Sequence, residues 1–196
     1  MQTKRLAALA AAIAMLASSA LAQTTLETYS DAENGVSFSY ASSVWHPLDA
    51  DKDTDYLRPS IQPTRAVFVY GAEKPPYEGT DFTGLAFNYA IAPVKTAAAC
   101  AAAITQYGDA APGAPVTVNG VHFNFAQGGD AAMNHQLFER LYSTFANGRC
   151  YVFDLALSTA GFGVSDDVRQ MNEAERTDAN QALDSIFGTV KIAKLK

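Results

Sequence analysis

Cysteine, histidine and basic charge are all scarce in this 196-residue chain, which has two Cys, three His and one Trp, with 14 Lys and Arg against 20 Asp and Glu. Cys100 and Cys150 lie too far apart for a Cys-x-x-Cys redox or zinc-knuckle motif. His46, His122 and His135 include no His-x-x-x-His pair, which excludes the helical zinc-hydrolase pattern. The basic residues are dispersed, and the only close group is Lys191, Lys194 and Lys196 at the tail. Neither nucleic acid nor anionic lipid is therefore an expected partner, because both need clustered cations. There is no Gly-x-Ser-x-Gly elbow, Ser-x-x-Lys pair, P-loop or Gly-x-Gly-x-x-Gly turn, so no cofactor is expected.

Long hydrophobic runs are also lacking, with one exception. Lys4 and Arg5 precede an apolar stretch from Leu6 to Leu16, and Ala20-Leu21-Ala22 then forms an Ala-x-Ala pattern before Gln23. This is the anatomy of a secretory signal peptide over residues 1–22. The run is much shorter than the roughly 20 residues needed to cross a bilayer, so no stable membrane anchor is expected. The expected mature chain, residues 23–196, is one domain. Losing two basic residues and no acid moves its formal charge from -6 to -8. The expected location is extracytoplasmic, in a bacterial periplasm or secreted.

In an oxidising compartment Cys100 and Cys150 read as a disulfide. Closing a 50-residue loop removes roughly 4 kcal/mol of denatured-state entropy in the chain-closure picture. A structural staple is expected rather than a reactive thiol.

Along the mature chain, Val36-Ser37-Phe38-Ser39-Tyr40 alternates as a half-buried strand. Ala66–Tyr70 and Leu85–Ile91 read as further strands. Thr96 caps a helix whose stripe is Cys100, Ile104 and Tyr107. Asn119-Gly120 and Asn147-Gly148 are two-residue hairpin turns, and the second register sets Phe145 opposite Cys150. The returning strand then has Cys150, Val152 and Asp154 on one face and Tyr151, Phe153, Leu155 and Leu157 on the other. Apolar side chains on both faces require a cover on each side. A second helix over about 172–187 ends at Gly188, and a short strand, 189–192, follows. Gly128-Gly129 reads as the opening of a loop, and Gly161-Phe162-Gly163 as the end of the long strand.

Glu33-Asn34-Gly35-Val36-Ser37-Phe38-Ser39-Tyr40 through Trp45, with Leu183–Ile192, resembles the start and end of PsbP-like domains, although Ala41 stands where that family usually has proline. The resemblance implies a small α/β/α sandwich and a non-enzymatic accessory or assembly role. It transfers no functional residue. The fold expectation is α+β: an α/β/α sandwich around a mainly antiparallel sheet of about six or seven strands with two main helices.

Three sets of residues are candidates for chemistry. Asp154 falls on a covered face, where an ionised carboxylate is costly. It reads first as a hydrogen-bonded structural acid, and alternatively as a general base with His122 or His135 in a small cofactor-independent, hydrolase-like enzyme. Asp49, Asp51, Asp53 and Asp55 alternate as in a calcium loop, but Thr54 and Ser60 stand where such a loop needs Gly and Glu. Weak divalent-cation binding is the most they suggest. Tyr56, Phe82, Phe87, Tyr89, Phe123 and Phe125 read as core, or alternatively as a pocket lining. The leading expectation is an exported binding or accessory protein whose protein or small-molecule partner the sequence does not name.

Overall fold

The computed structural model describes residues 25–48, 64–70, 77–106, 110–132, 134–161 and 167–195. The expected signal peptide, the acidic loop of Asp49 to Asp55, Tyr56, Tyr107 and Phe162-Gly163 lie outside these residues.

The strands are β1 (Leu26–Asp31), β2 (Val36–Ala41), β3 (Trp45–Pro47), β4 (Thr64–Tyr70) and β5 (Phe82–Ala92), followed by helix α1 (Ala97–Ala103). Next come β6 (Ala111–Pro112), β7 (Val116–Val118), β8 (Val121–Ala132), β9 (His135–Ala146) and β10 (Arg149–Ala160). Helix α2 (Glu173–Phe187) and β11 (Lys191–Ile192) complete the order.

These strands make two sheets, not one. The larger has eight strands in the order β3-β4-β5-β10-β9-β8-β6, with β7 also paired to β8, and the smaller has three in the order β1-β2-β11. Every pairing between the named strands is antiparallel. The expected α/β/α sandwich with one central sheet of six or seven strands is therefore corrected to a mostly β, two-sheet fold. The physical reason lies in β1, whose first three residues are exposed and whose polar side chains give no alternation to read. By pairing with β2 along Leu26↔Ala41 to Asp31↔Val36, it draws β2 and β11 into a separate sheet. The two stretches that carry the PsbP-like resemblance lie side by side there, with Lys191 opposite Ser37 and Ile192 opposite Val36.

One face of the large sheet is covered jointly by α2 and the small sheet. Ala179, Leu183, Ile186 and Phe187 of α2 join Val36 and Phe38 of β2 over Phe87, Tyr89, Phe153 and Leu155. Aromatic contacts dominate this core: Tyr142 stacks on Phe187 at 4.1 Å, and Phe38 meets Phe87 edge-on at 4.9 Å. Phe87, Tyr89 and Phe123 are core residues, with Phe82 and Phe125 packed at its margin, as the core reading of that set requires. The other face carries α1. Thr96 caps it as expected, accepting from the Ala99 N–H, and Cys100 joins Cys150 with Cα atoms 5.4 Å apart. Ala103, Ile104, Leu141 and Val152 surround the disulfide.

Both Asn-Gly turns take positive φ at each residue, 48° and 79° for Asn119-Gly120 and 52° and 70° for Asn147-Gly148. This two-residue conformation matches the strand twist and produces the expected register, Ala146↔Arg149 and Phe145↔Cys150. Gly128-Gly129 corrects another expectation, since it does not open a loop. The ladder runs through it, with Gly128↔Glu139 and Gly129↔Phe138. A Cβ on Gly129 would lie 2.1 Å from the Leu137 carbonyl oxygen, so β9 approaches more closely than any side chain permits.

Candidate functional site

Asp154 sits where the hairpin register places it, opposite Leu141 on β9 and Asn88 on β5, and it is 3% exposed. Asn88 Nδ2 donates to Asp154 Oδ2 at 3.0 Å. Burial pushes the Asp154 carboxyl well above the ordinary carboxylate range, and nearby Glu139 pushes it further, against the opposing effect of the Asn88 bond. Asp154 is thus a sealed carboxyl whose protonated form its surroundings favour.

Neither candidate imidazole reaches it. His135 pairs opposite Ala160, six residues along β10 and about 20 Å away at 3.3 Å per residue. His122 is exposed on the β7–β8 hairpin, where its Nδ1 and the Thr117 hydroxyl are hydrogen-bonded at 2.8 Å. The three candidates share a sheet face but not a site. Among the described residues, no group of three or more His, Cys, Asp or Glu side chains is placed to hold a metal ion. No helix of the described residues is long and apolar enough to cross a membrane.

A concave surface does exist, on the opposite face. A groove of about 540 Å³ is lined by Gly128, Gly129, Asp130 and Ala131 of β8 and by Gln136, Leu137 and Phe138 of β9. Its volume falls in the range of roughly 300–1,000 Å³ typical of ligand clefts. The groove exists because Gly129 and Ala131, which pair with Phe138 and Gln136, leave almost no side chain beside them. Phe138 is 40% exposed, and the Arg176 guanidinium of α2 lies 5.1 Å from its ring centroid, fixing the ring at the groove wall.

Gln136 also lines a smaller, more enclosed cavity of about 70 Å³ with Asp81, Asn134, Thr159, Ala160 and Gln170. Three devices assemble it. A bulge between Ser158 and Thr159 shifts the β5–β10 register, so that Thr159 pairs with Phe82. Asn134, at φ 66°, turns β8 into β9 and accepts from the Gly161 N–H. Asp81 ties down the segment before α2, with its backbone N–H donating to the Arg169 carbonyl and its Oδ1 accepting from the Met171 N–H at 2.8 Å. Asp81 Oδ2 lies 3.9 Å from Arg176 Nη2, so its charge is already countered.

None of these groove residues was a candidate from sequence. Phe138 among polar neighbours and the glycine pair inside a strand are the local signals that could have marked them.

No family model matches the chain, and no curated protein matches it. Among solved structures, a protein from Bacteroides thetaiotaomicron aligns with 82% of this chain and 46% of its own length, at 10% identity and a TM-score of 0.40. This chain thus spans about half the length of that neighbour. LpqN of Mycobacterium tuberculosis, described as involved in cell envelope biogenesis, aligns with 85% of this chain and 90% of its own, at 9% identity and a TM-score of 0.45. Likenesses of this degree place the chain in no family and carry nothing from those proteins to this one.

Proposed function

We propose that this protein works outside the cytoplasm as a non-catalytic binding or accessory module. The observation that carries the reading is the separation of Asp154, the acid the sequence marks as a candidate base, from the groove and cavity. Asp154 is sealed on the α1 face of the large sheet, whereas the groove at Gln136 and Phe138 opens on the α2 face. General acid–base catalysis needs a titrating group within hydrogen-bond reach of substrate, and Asp154 is not so placed. The disulfide supports the extracytoplasmic half, since such bonds persist in oxidising compartments. The leader-like sequence of residues 1–22 and the PsbP-like resemblance of the two chain ends point the same way.

Export tests the location. The full chain expressed in a bacterial host should appear in the periplasm or medium, begin at Gln23 and resist thiol alkylation until reduced. Protein retained in the cytoplasm with its leader and two free thiols would contradict the reading. Turnover assays comparing wild type with Asp154→Asn test the non-catalytic half.

A further inference from the structure

We propose that the groove and cavity that meet at Gln136 form a site for a neutral saccharide, a proposal that rests on the binding-module reading and names its ligand class. The lining explains why. Gln136, Asn134, Gln170 and Thr159 line the cavity, and each side chain can both donate and accept hydrogen bonds. Thr159 is 2% exposed and is the most buried polar residue named in the cavity's lining besides Asp81. Sugar hydroxyls are likewise donors and acceptors at once, and an amide- and hydroxyl-lined cavity matches them in both roles.

Charge narrows the choice. The cavity's one carboxylate, Asp81, is bonded to the Met171 N–H and faced by Arg176, and the groove's single carboxylate, Asp130, accepts from the Ala131 N–H, so neither hollow clusters acids around a cation. An anion finds no Lys or Arg among the residues lining either hollow. A lipid chain finds only Leu137, Phe138 and small side chains as apolar surface in the groove.

Phe138 supplies what a pyranose needs besides hydrogen bonds. Arg176 lies over its ring, and the side chain, 40% exposed, lines the groove. The apolar C–H face of a sugar ring stacks on such a platform, while the glycine and alanine floor of β8 leaves room for it. A chain of sugar units can then lie along the groove with one unit's hydroxyls directed into the cavity.

The test is titration of the oxidised mature protein with cellohexaose and with chitohexaose, followed by amide NMR shifts. Binding of at least one probe should shift the amides of Gln136, Phe138 and Thr159. Phe138→Ala should weaken it by about tenfold, equivalent to about 1.4 kcal/mol. Gln136→Ala should weaken it by about three- to tenfold, the loss of one hydrogen bond. Phe138→Trp keeps an aromatic platform and should retain or tighten binding, which guards against a trivial folding failure in the alanine variant. No shift with either probe, shifts confined to another surface, or binding indifferent to these substitutions would overturn the saccharide assignment and leave the non-catalytic reading standing. New reducing ends appearing in the same samples would overturn the non-catalytic reading and leave the saccharide assignment standing.

Discussion

Asn88 and Asp154 face each other across the β5–β10 ladder with the Asn88 amide nitrogen donating to Asp154 Oδ2, while Asp154 Oδ1 and the Asn88 amide oxygen have no hydrogen-bond partner. An ionised Asp154 is acceptor-only and leaves its Oδ1 and the Asn88 oxygen idle, whereas a protonated one gains a donor. Asp154→Asn imitates the protonated form and should fold normally. Asp154→Ala strands the buried Asn88 amide and should cost about 1–3 kcal/mol.

The raised Asp154 pKa also sets a pH slope. The folded state holds this proton to higher pH than the unfolded chain, so stability falls as pH rises from about 3.9 toward the folded value. Denaturant unfolding across this window should show that slope in wild type and a flatter one in Asp154→Asn.

Asp31 behaves in the opposite sense. Burial raises its pKa, but hydrogen bonds from Asn34 and the charge and hydrogen bond of Arg65 outweigh that and hold it below the ordinary range. Its stabilisation is present above about 3.9 and is lost as pH falls through the lower folded value. Because Arg65 is partly exposed, Arg65→Met should cost only about 0.5–1 kcal/mol at neutral pH. That deficit should shrink on acidification, as measured by urea unfolding at successive pH values.

The staple should matter locally before it matters globally. α1 has seven residues, and its buried positions are Cys100 and Ala103, too little apolar surface to dock without a covalent tie. Replacing both cysteines by alanine should cost about 2–4 kcal/mol. Amide exchange should then show α1 losing protection while α2, anchored by Leu183 and Phe187, keeps it.

Asn147 has two tasks that substitution can separate. Its φ of 52° suits the turn, and its side chain clamps the C-terminal segment, donating to the Ala193 carbonyl at 2.8 Å and accepting from the Leu195 N–H at 3.2 Å. Asn147→Gly keeps the turn and loses the clamp, for about 1 kcal/mol. Asn147→Ala loses both and should cost roughly 1–2 kcal/mol more. Thermal unfolding of the two variants measures the difference.

The hairpin turns, the staple and the burial of Asp154 were legible because each follows from local rules: positive φ at Asn-Gly, cysteine scarcity, and strand alternation carried across a known register. β1 was not legible, because its first three residues are exposed whatever their polarity and its inward positions are Tyr29 and the charged Asp31, which give no apolar alternation. The groove was not legible either. Asp81, Gln136, Thr159 and Gln170 are distant in sequence and become neighbours only through the β9–β10 register, the Ser158/Thr159 bulge and the tie from Asp81 to Met171.

The central claim is that this protein binds and does not use Asp154 for acid–base chemistry. Its most direct test is turnover of ester, amide, phosphate and glycoside substrates by wild-type and Asp154→Asn protein, both oxidised and folded. Rates for both indistinguishable from buffer are predicted; a wild-type rate above buffer that Asp154→Asn abolishes would contradict the claim.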